Sequence, residues 1–333
     1  MSDYKNIKLD KGLYVGKGFS YNLEQLDPSE NYRGTSLEGL DAFARQLKRF
    51  DIKISGADSD VVDKFFSSSQ TAALFPEFVV RAVANGIDNS DTLKSVCAIN
   101  TRIDGLDYRS IVSSIADTSP STDFISEGAA LPEVNINLSN TLVALHKYGR
   151  MLVASYEALR FQKIGVLSIA LRQIGEYIAN QQMGNVIDTL VNGNDGDSEC
   201  ENIDVSGDIA YSDLVELWAK LGQYKLTTLI MSPESVAKLL NLAEFKDACA
   251  GLNFHATGNL VTPLGAQIIK SNLVGDMIVG FDKTAALEKV QSGDVTVDTD
   301  KLIDRQLERV AISSTCGFNR ITADAVKTIT IGS

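Results

Sequence analysis

Between Ser155 and Asn192 apolar residues fall at Ile164, Leu167, Leu171, Ile174 and Ile178, in alternating steps of three and four. That spacing puts them on one stripe of a helix surface. Ser155 is a good N-cap and Glu157 places negative charge in the first turn. No proline interrupts the run, and Asn192-Gly193-Asn194-Asp195-Gly196 stops it. The pattern predicts one helix of about 55 Å, a rod suited to a thin, extended molecule. Gly165, Gly175 and Gly184 each cost it about 1 kcal/mol against alanine, which reads either as close backbone approach, as a bend, or as ordinary tolerance.

Ahead of the rod, residues 1 to about 70 read as an extended arm carrying one helix. Thr35 or Ser36 would cap it, with Leu37, Leu40, Phe43, Ala44 and Leu47 at helical spacing. The arm is too apolar for a disordered tail and too short of core residues for a domain, so it must dock on its own chain or on a neighbouring copy. Thr71 to Asn85 is a compact apolar helix, and Leu93 to Ile103 is strand or mixed structure. Between Tyr108 and Tyr148 the period becomes two: Ile111-Val112, Ile115, Phe124, Val134, Ile136 and Leu138 alternate with small polar residues. Pro120 and Pro132 confine these runs to edges or turns. The result is a two-stranded excursion that returns at Lys147-Tyr148-Gly149-Arg150. A lone hairpin is marginal in water, so this one needs an outside surface to lie on.

After the rod, Asp195, Asp197, Glu199, Glu201, Asp204 and Asp208 form an acidic connector. Calcium would suit its oxygen ligands, but the glycine and glutamate miss the EF-hand positions, and a solvated loop is the reading preferred. Helix Tyr211 to Tyr224, strand Thr228–Met231, an N-cap at Ser232 with Pro233 in the first helical position, helix Ser235 to Leu242, and strands Ala266–Ile269 and Met277–Gly280 follow. Their alternation predicts a compact α/β lobe from about 206 to 289. The last stretch, Val295 to Ile331, holds Val295-Thr296-Val297, a central segment with Leu302, Ile303, Leu307 and Val310, and a closing strand from Val326 to Ile331, and is expected to return beside the long helix.

Composition narrows the function. The chain has 333 residues, 44% of them hydrophobic, and a formal charge of −12. It can bury a sizeable core in two or three lobes, while the charge argues against a dedicated nucleic-acid binder. No signal-like or membrane-spanning apolar run is expected, and the scattered Cys97, Cys200, Cys249 and Cys316 read as reduced thiols. Histidine occurs only at His146 and His255, without ligands at metal spacing, and no GxSxG, Walker or HExxH motif exists. Glu127 and Glu133 flank Pro132 on the hairpin without a cleft for paired-carboxylate work. No enzyme, cofactor or metal site is expected. A rod, an arm and an unsupported hairpin describe a subunit completed by its neighbours.

The order of parts resembles that of the major capsid proteins of tailed bacteriophages, the Hong Kong 97-like fold shared with encapsulin shells. The local matches are Phe124-Ile125-Ser126-Glu127-Gly128-Ala129-Ala130-Leu131-Pro132-Glu133, Lys147-Tyr148-Gly149-Arg150 leading to Ser155-Tyr156-Glu157, Met231-Ser232-Pro233-Glu234, Thr262-Pro263-Leu264-Gly265-Ala266-Gln267-Ile268-Ile269, and Gly317-Phe318-Asn319-Arg320 to Ala325-Val326. The resemblance implies an α+β fold. Its parts would be an N-arm over 1–70, P-domain pieces over 71–105, 150–205 and 290–333, an E-loop over 106–149 and an A-domain over 206–289. It implies a structural protein of an icosahedral phage head built from pentamers and hexamers, with an encapsulin-like cellular shell as the alternative. Glu127, Pro132, Glu133, Lys147, Arg150 and Glu157 are the expected assembly contacts. A separate scaffolding protein, a portal and non-specifically held double-stranded DNA are the implied partners, with no membrane, and assembly is expected in the host cytoplasm. Some members weld subunits through an E-loop lysine. This chain has no lysine from Ser95 to His146, so no such cross-link is expected.

Overall fold

The computed structural model describes residues 7–14, 18–89, 92–113, 136–138, 142–194, 197–246 and 261–332. Glu127, Pro132 and Glu133, together with Cys249 and His255, lie outside the described residues. In chain order come helices α1 (Phe19–Leu26), α2 (Ala42–Arg49), α3 (Ser69–Ala72), α4 (Phe75–Asn89) and α5 (Thr92–Val96). Strands β1 (Ile99–Ile103), β2 (Ile111–Ser113), β3 (Ile136–Leu138) and β4 (His146–Ser155) follow, then α6 (Tyr156–Arg160) and α7 (Ile164–Asn192). Next are β5 (Glu201–Ser206), α8 (Tyr211–Lys220), β6 (Thr228–Met231), α9 (Pro233–Leu240) and α10 (Ala243–Lys246). The chain closes with β7 (Gln267–Lys270), β8 (Met277–Phe281), β9 (Leu287–Leu302), β10 (Leu307–Arg320) and β11 (Val326–Gly332). Among the described residues the strands form sheets of order β1-β9-β10-β4, β5-β11-β8-β6-β7 and β2-β3. The chain divides into two compact units.

The first unit comprises residues 1–90, 148–179 and 295–314. Its core is built as much by the N-terminal segment as by the rod. Ile7, Leu9, Phe19, Leu23, Phe43, Leu47, Ile52, Val62 and Phe65 pack in one cluster with Phe75, Phe78, Val79 and Val83 of α4 and Ile164, Leu167, Leu171 and Ile178 of α7. An extended arm is therefore not what residues 7–14 and 18–66 form; they fold onto their own chain. The segment carries two α-helices, and the expected cap at Thr35 or Ser36 is displaced. Gly39, at φ +82°, breaks helical geometry there, and Asp41 caps α2 instead, accepting the Ala44 N–H at 2.8 Å. Arg45, 1% exposed, is bound by its Nε to Asp27 Oδ2 at 3.1 Å, donates to Ser29 Oγ at 2.9 Å, and lies 4.4 Å from the centre of the Tyr32 ring. Tyr14 O–H donates to the Ala73 carbonyl at 2.7 Å and accepts the Glu77 N–H at 3.1 Å, satisfying an orphan donor at the start of α4.

The rod is not continuous from Ser155. Phe161–Lys163 leave helical geometry to run beside residues 60–62: the Val62 N–H bonds the Gln162 carbonyl at 2.9 Å and the Ile164 N–H bonds the Asp60 carbonyl at 2.8 Å. The backbone groups that would have joined α6 to α7 are used laterally, so the helix restarts at Ile164 and runs 29 residues, about 44 Å. The predicted stripe is the buried one. Of the three glycines, Gly175 is the one that demands its lack of a side chain: a Cβ there would fall on the Val83 carbonyl, and one on Gly86 would fall on the backbone of Arg172. Helices α4 and α7 thus touch backbone to backbone.

The second unit comprises residues 91–147, 180–294 and 315–333. Its α/β lobe matches expectation at β6, β7, β8 and the Ser232 cap, whose Oγ accepts the Ser235 N–H at 3.2 Å. Two expectations change in part. Of the last stretch, residues 295–314 fall in the first unit, where Val295, Val297, Val310 and Ile312 pack with Ile164, Leu167 and Leu171 of α7, whereas the closing strand β11 sits inside the lobe's sheet, antiparallel to β8 and parallel to β5. The acidic connector is correspondingly half strand: β5 pairs with β11 from Glu201↔Lys327 to Ser206↔Gly332. Glu201 there bridges Lys220 at 3.0 Å and Lys327 at 3.2 Å, and those hydrogen bonds hold its carboxyl below the usual range. The end of α7 is as expected, and the sequence concealed what fixes it. Buried Arg320 donates to the Leu190 and Val191 carbonyls at 3.2 and 3.3 Å, and to that of Ser198, capping the negative helix end.

Candidate assembly surfaces

The hairpin strands β2 and β3 belong to the second unit, and described contacts fix their root. Tyr108 passes its carbonyl to the Val143 N–H at 2.9 Å, tying the outgoing chain to the returning one. Three residues after Tyr108 the strands pair, Ile111↔Leu138, Val112↔Asn137 and Ser113↔Ile136. Among the described residues β2 and β3 pair with each other and with no third strand. Beneath the root stands Glu288, 6% exposed, on β9. Its Oε1 accepts the hydroxyls of Thr101 at 2.6 Å and Tyr108 at 2.8 Å, and its Oε2 accepts that of Ser110 at 2.7 Å. Burial, then the hydrogen bond and charge of Glu288, push the Tyr108 phenol up.

Of the expected contacts, Lys147 is exposed on β4. Arg150 is exposed too, its guanidinium 3.7 Å from the centre of the Tyr177 ring on α7, a cation–π contact. Glu157 is exposed in the first turn of α6, where Ser155 Oγ accepts the Ala158 N–H at 3.2 Å.

Sequence reasoning missed a set of exposed apolar residues in the first unit. Met151 and Val153 point away from the core on β4 while Leu152 and Ala154 pack on it. Val166 and Ile169 lie on the outer side of α7, and Phe161, at the α6–α7 corner, is 78% exposed. Exposed apolar clusters mark interaction surfaces. The signal was present: the first turns of α7 are apolar on both faces, and only one face finds a core. In the second unit Val215 and Trp218, one turn apart on α8, are likewise exposed. Among the described residues no group of His, Cys, Asp and Glu is disposed to hold a metal ion, and no helix is long and apolar enough to cross a membrane.

The described residues thus combine an α+β fold braced by α7, a two-stranded sheet of β2 and β3, and exposed apolar side chains in each unit. A family described as phage capsid protein matches residues 139–326, more than half of the chain, and the chain belongs to that family. No curated protein matches its sequence. Among solved structures it is similar to the virus-like particle from Pyrococcus furiosus (15% identity, TM-score 0.51, covering 77% of this chain and 99% of that one). The capsid of a native GTA particle is similar at 16% identity and a TM-score of 0.53 over 73% and 91% of the two chains. The capsid of the cyanophage P-SCSP1u is similar at 15% identity and 0.52 over 72% and 88%. The fold is the Hong Kong 97-like fold, and the protein is a major capsid protein with a structural role.

Proposed function

We propose that copies of this chain gather into pentamers and hexamers and close into the icosahedral head shell of a tailed bacteriophage, around its double-stranded DNA. On this reading residues 106–149 are the E-loop laid across an adjacent copy. Residues 71–105, 150–205 and 290–333 are the P-domain, and 206–289 the A-domain gathered about the axes. Residues 1–70 keep the arm's place in the order of parts, with 7–14 and 18–66 folded on the P-domain core.

The observation that carries the reading is the two-stranded sheet of β2 and β3. Such a sheet gains little by itself, so its order is coupled to docking on another copy. Heterologous contacts of that kind close into rings. The exposed Phe161, Met151, Val153 and Trp218 supply further modest interfaces, each repeated at every copy. The net charge of −12 suits a wall that must not grip the genome it holds. Negative-stain microscopy of the purified protein tests the proposal: hollow particles are expected, and a small discrete oligomer would overturn it.

Lys147 at the loop's base is the lysine nearest the hairpin's C-terminal root, and none lies within the loop from Ser95 to His146. Shells are therefore held without isopeptide bonds. Boiling assembled particles in detergent should release single chains, and a ladder of covalent multimers would refute this. A separate scaffolding protein and a portal complete the assembly in the host cytoplasm; correctly sized shells from this chain expressed alone would count against the scaffold.

A further inference from the structure

We propose that Glu288 is a positioning residue for assembly, a buried clamp that fixes the direction in which the hairpin leaves the body. The inference rests on the reading of residues 106–149 as a loop that docks on a neighbouring copy. Its geometry is independent of that reading.

One carboxylate gathers three hydroxyls from three successive parts of the path into the hairpin. Thr101 belongs to β1, Tyr108 to the crossing that follows, and Ser110 is the residue immediately before β2. Glu288 itself lies opposite Ile99 in the parallel β1–β9 pairing, so the acceptor is held by a regular ladder. Among the described residues Glu288 forms no ion pair, and both of its oxygens are engaged by O–H donors. Hydrogen bonds to a charged acceptor are shorter and stronger than neutral ones. Leaving such a carboxylate buried without them carries a desolvation penalty. The site therefore favours one arrangement of the root, and the tie from the Tyr108 carbonyl to the Val143 N–H extends that arrangement to the returning chain. A projection hinged at its root swings its far end through a distance proportional to its length. Fixing Ser110 thus limits where the hairpin meets a neighbour, and with it the angle between copies.

The test uses the full chain as Glu288→Gln, which keeps the shape of the side chain but replaces one accepting oxygen by a donor. In unassembled capsomers, amide exchange in residues 108–113 and 142–145 should rise at least about tenfold, the loss expected for bonds to a charged group, with β6 and β8 unchanged. Particles formed from the variant should be heterogeneous in diameter. Should Glu288→Gln not fold, the double variant Tyr108→Phe with Ser110→Ala removes two donors and leaves the acid, and the same two readouts apply. Unchanged exchange at the root overturns the clamp. Raised exchange with particles of wild-type diameter overturns its role in setting the shell. In wild type, hairpin amides that gain no protection between capsomer and particle would sink the docking reading, and the capsomer measurement would still decide the clamp.

Discussion

The N-terminal segment and the hairpin both look, in sequence, like limbs in search of a surface, and they meet opposite ends. The first contributes Phe19, Leu23, Phe43, Leu47, Val62 and Phe65 to a core shared with α4 and α7. The second, at the described strands β2 and β3, pairs only with itself. The difference lies in side-chain volume per residue of chain. Aromatic and leucine side chains recurring every three or four residues can cover a helix from its own polypeptide. Small polar residues alternating with single aliphatics cannot.

Two deletions break this comparison most sharply. Removing residues 1–66 should leave a chain that aggregates, because it exposes the phenylalanine-rich side of α4; a soluble, cooperatively melting truncation would restore the arm. Replacing residues 111–138 by a short Gly–Ser turn, which the Ile111↔Leu138 pairing permits, should keep the melting temperature of unassembled protein within about 4 °C of wild type. It should abolish particles in the microscope. A large loss of stability there would mean that the hairpin belongs to its own chain's core.

A finer probe is Arg45→Ala, which strands the buried Asp27 carboxylate. Breaking a buried pair from one side costs about 3–5 kcal/mol, to be read by urea denaturation, while the exchange of hairpin amides stays as in wild type. The smallest effect is acid sensitivity. Burial raises the Asp60 carboxyl, but the Lys53 N–H at 2.7 Å and the Lys64 ammonium at 3.0 Å outweigh it and hold the group below its ordinary value. Glu24 is also lowered: burial opposes ionisation, and the N–H groups of Ser29 and Ala42 win. A carboxylate depressed in the fold contributes stability that is complete above its unfolded pKa, about 4, and is lost as pH falls through the folded value. Below about pH 4 the segment should therefore loosen, and Asp60→Asn should flatten that fall by about 1–3 °C in melting temperature.

What could be read in advance follows the same physics. Strands β6, β7 and β8 and the Ser232-Pro233 start of α9 were legible because local apolar runs and a local cap fix them. The stripe Ile164, Leu167, Leu171, Ile174 and Ile178 was legible because its period is uninterrupted. The long strands β9 and β10 were only partly legible. In β10 every second position, Glu308, Val310, Ile312, Ser314, Cys316, Phe318 and Arg320, is buried, with Gly317 besides, so polar side chains occupy inward places and hide the period of two. The break at Phe161–Lys163 was invisible because hydrogen bonds to residues 60–62 cause it, a hundred positions away in the chain. The seat of β11 within the lobe's sheet was hidden for a like reason, its partner β5 lying more than a hundred residues earlier. Lys147, Arg150 and Glu157, expected as assembly contacts from their motifs, are exposed. Glu288 escaped notice, since a glutamate among Lys289 and Gln291 in sequence looks like a solvent-facing residue.

Where Gly86 and Gly175 meet the backbone opposite, no side chain separates α4 from α7. Padding of that kind is what yields when a protein is squeezed, because rotamers can rearrange and small voids can close. Where main chains already touch, the gap has nothing left to give. In the shell proposed above, an outward push from enclosed DNA would be met by flexing wherever aliphatic side chains separate the parts of a subunit, and at this contact the two helices would move as one stiff plank.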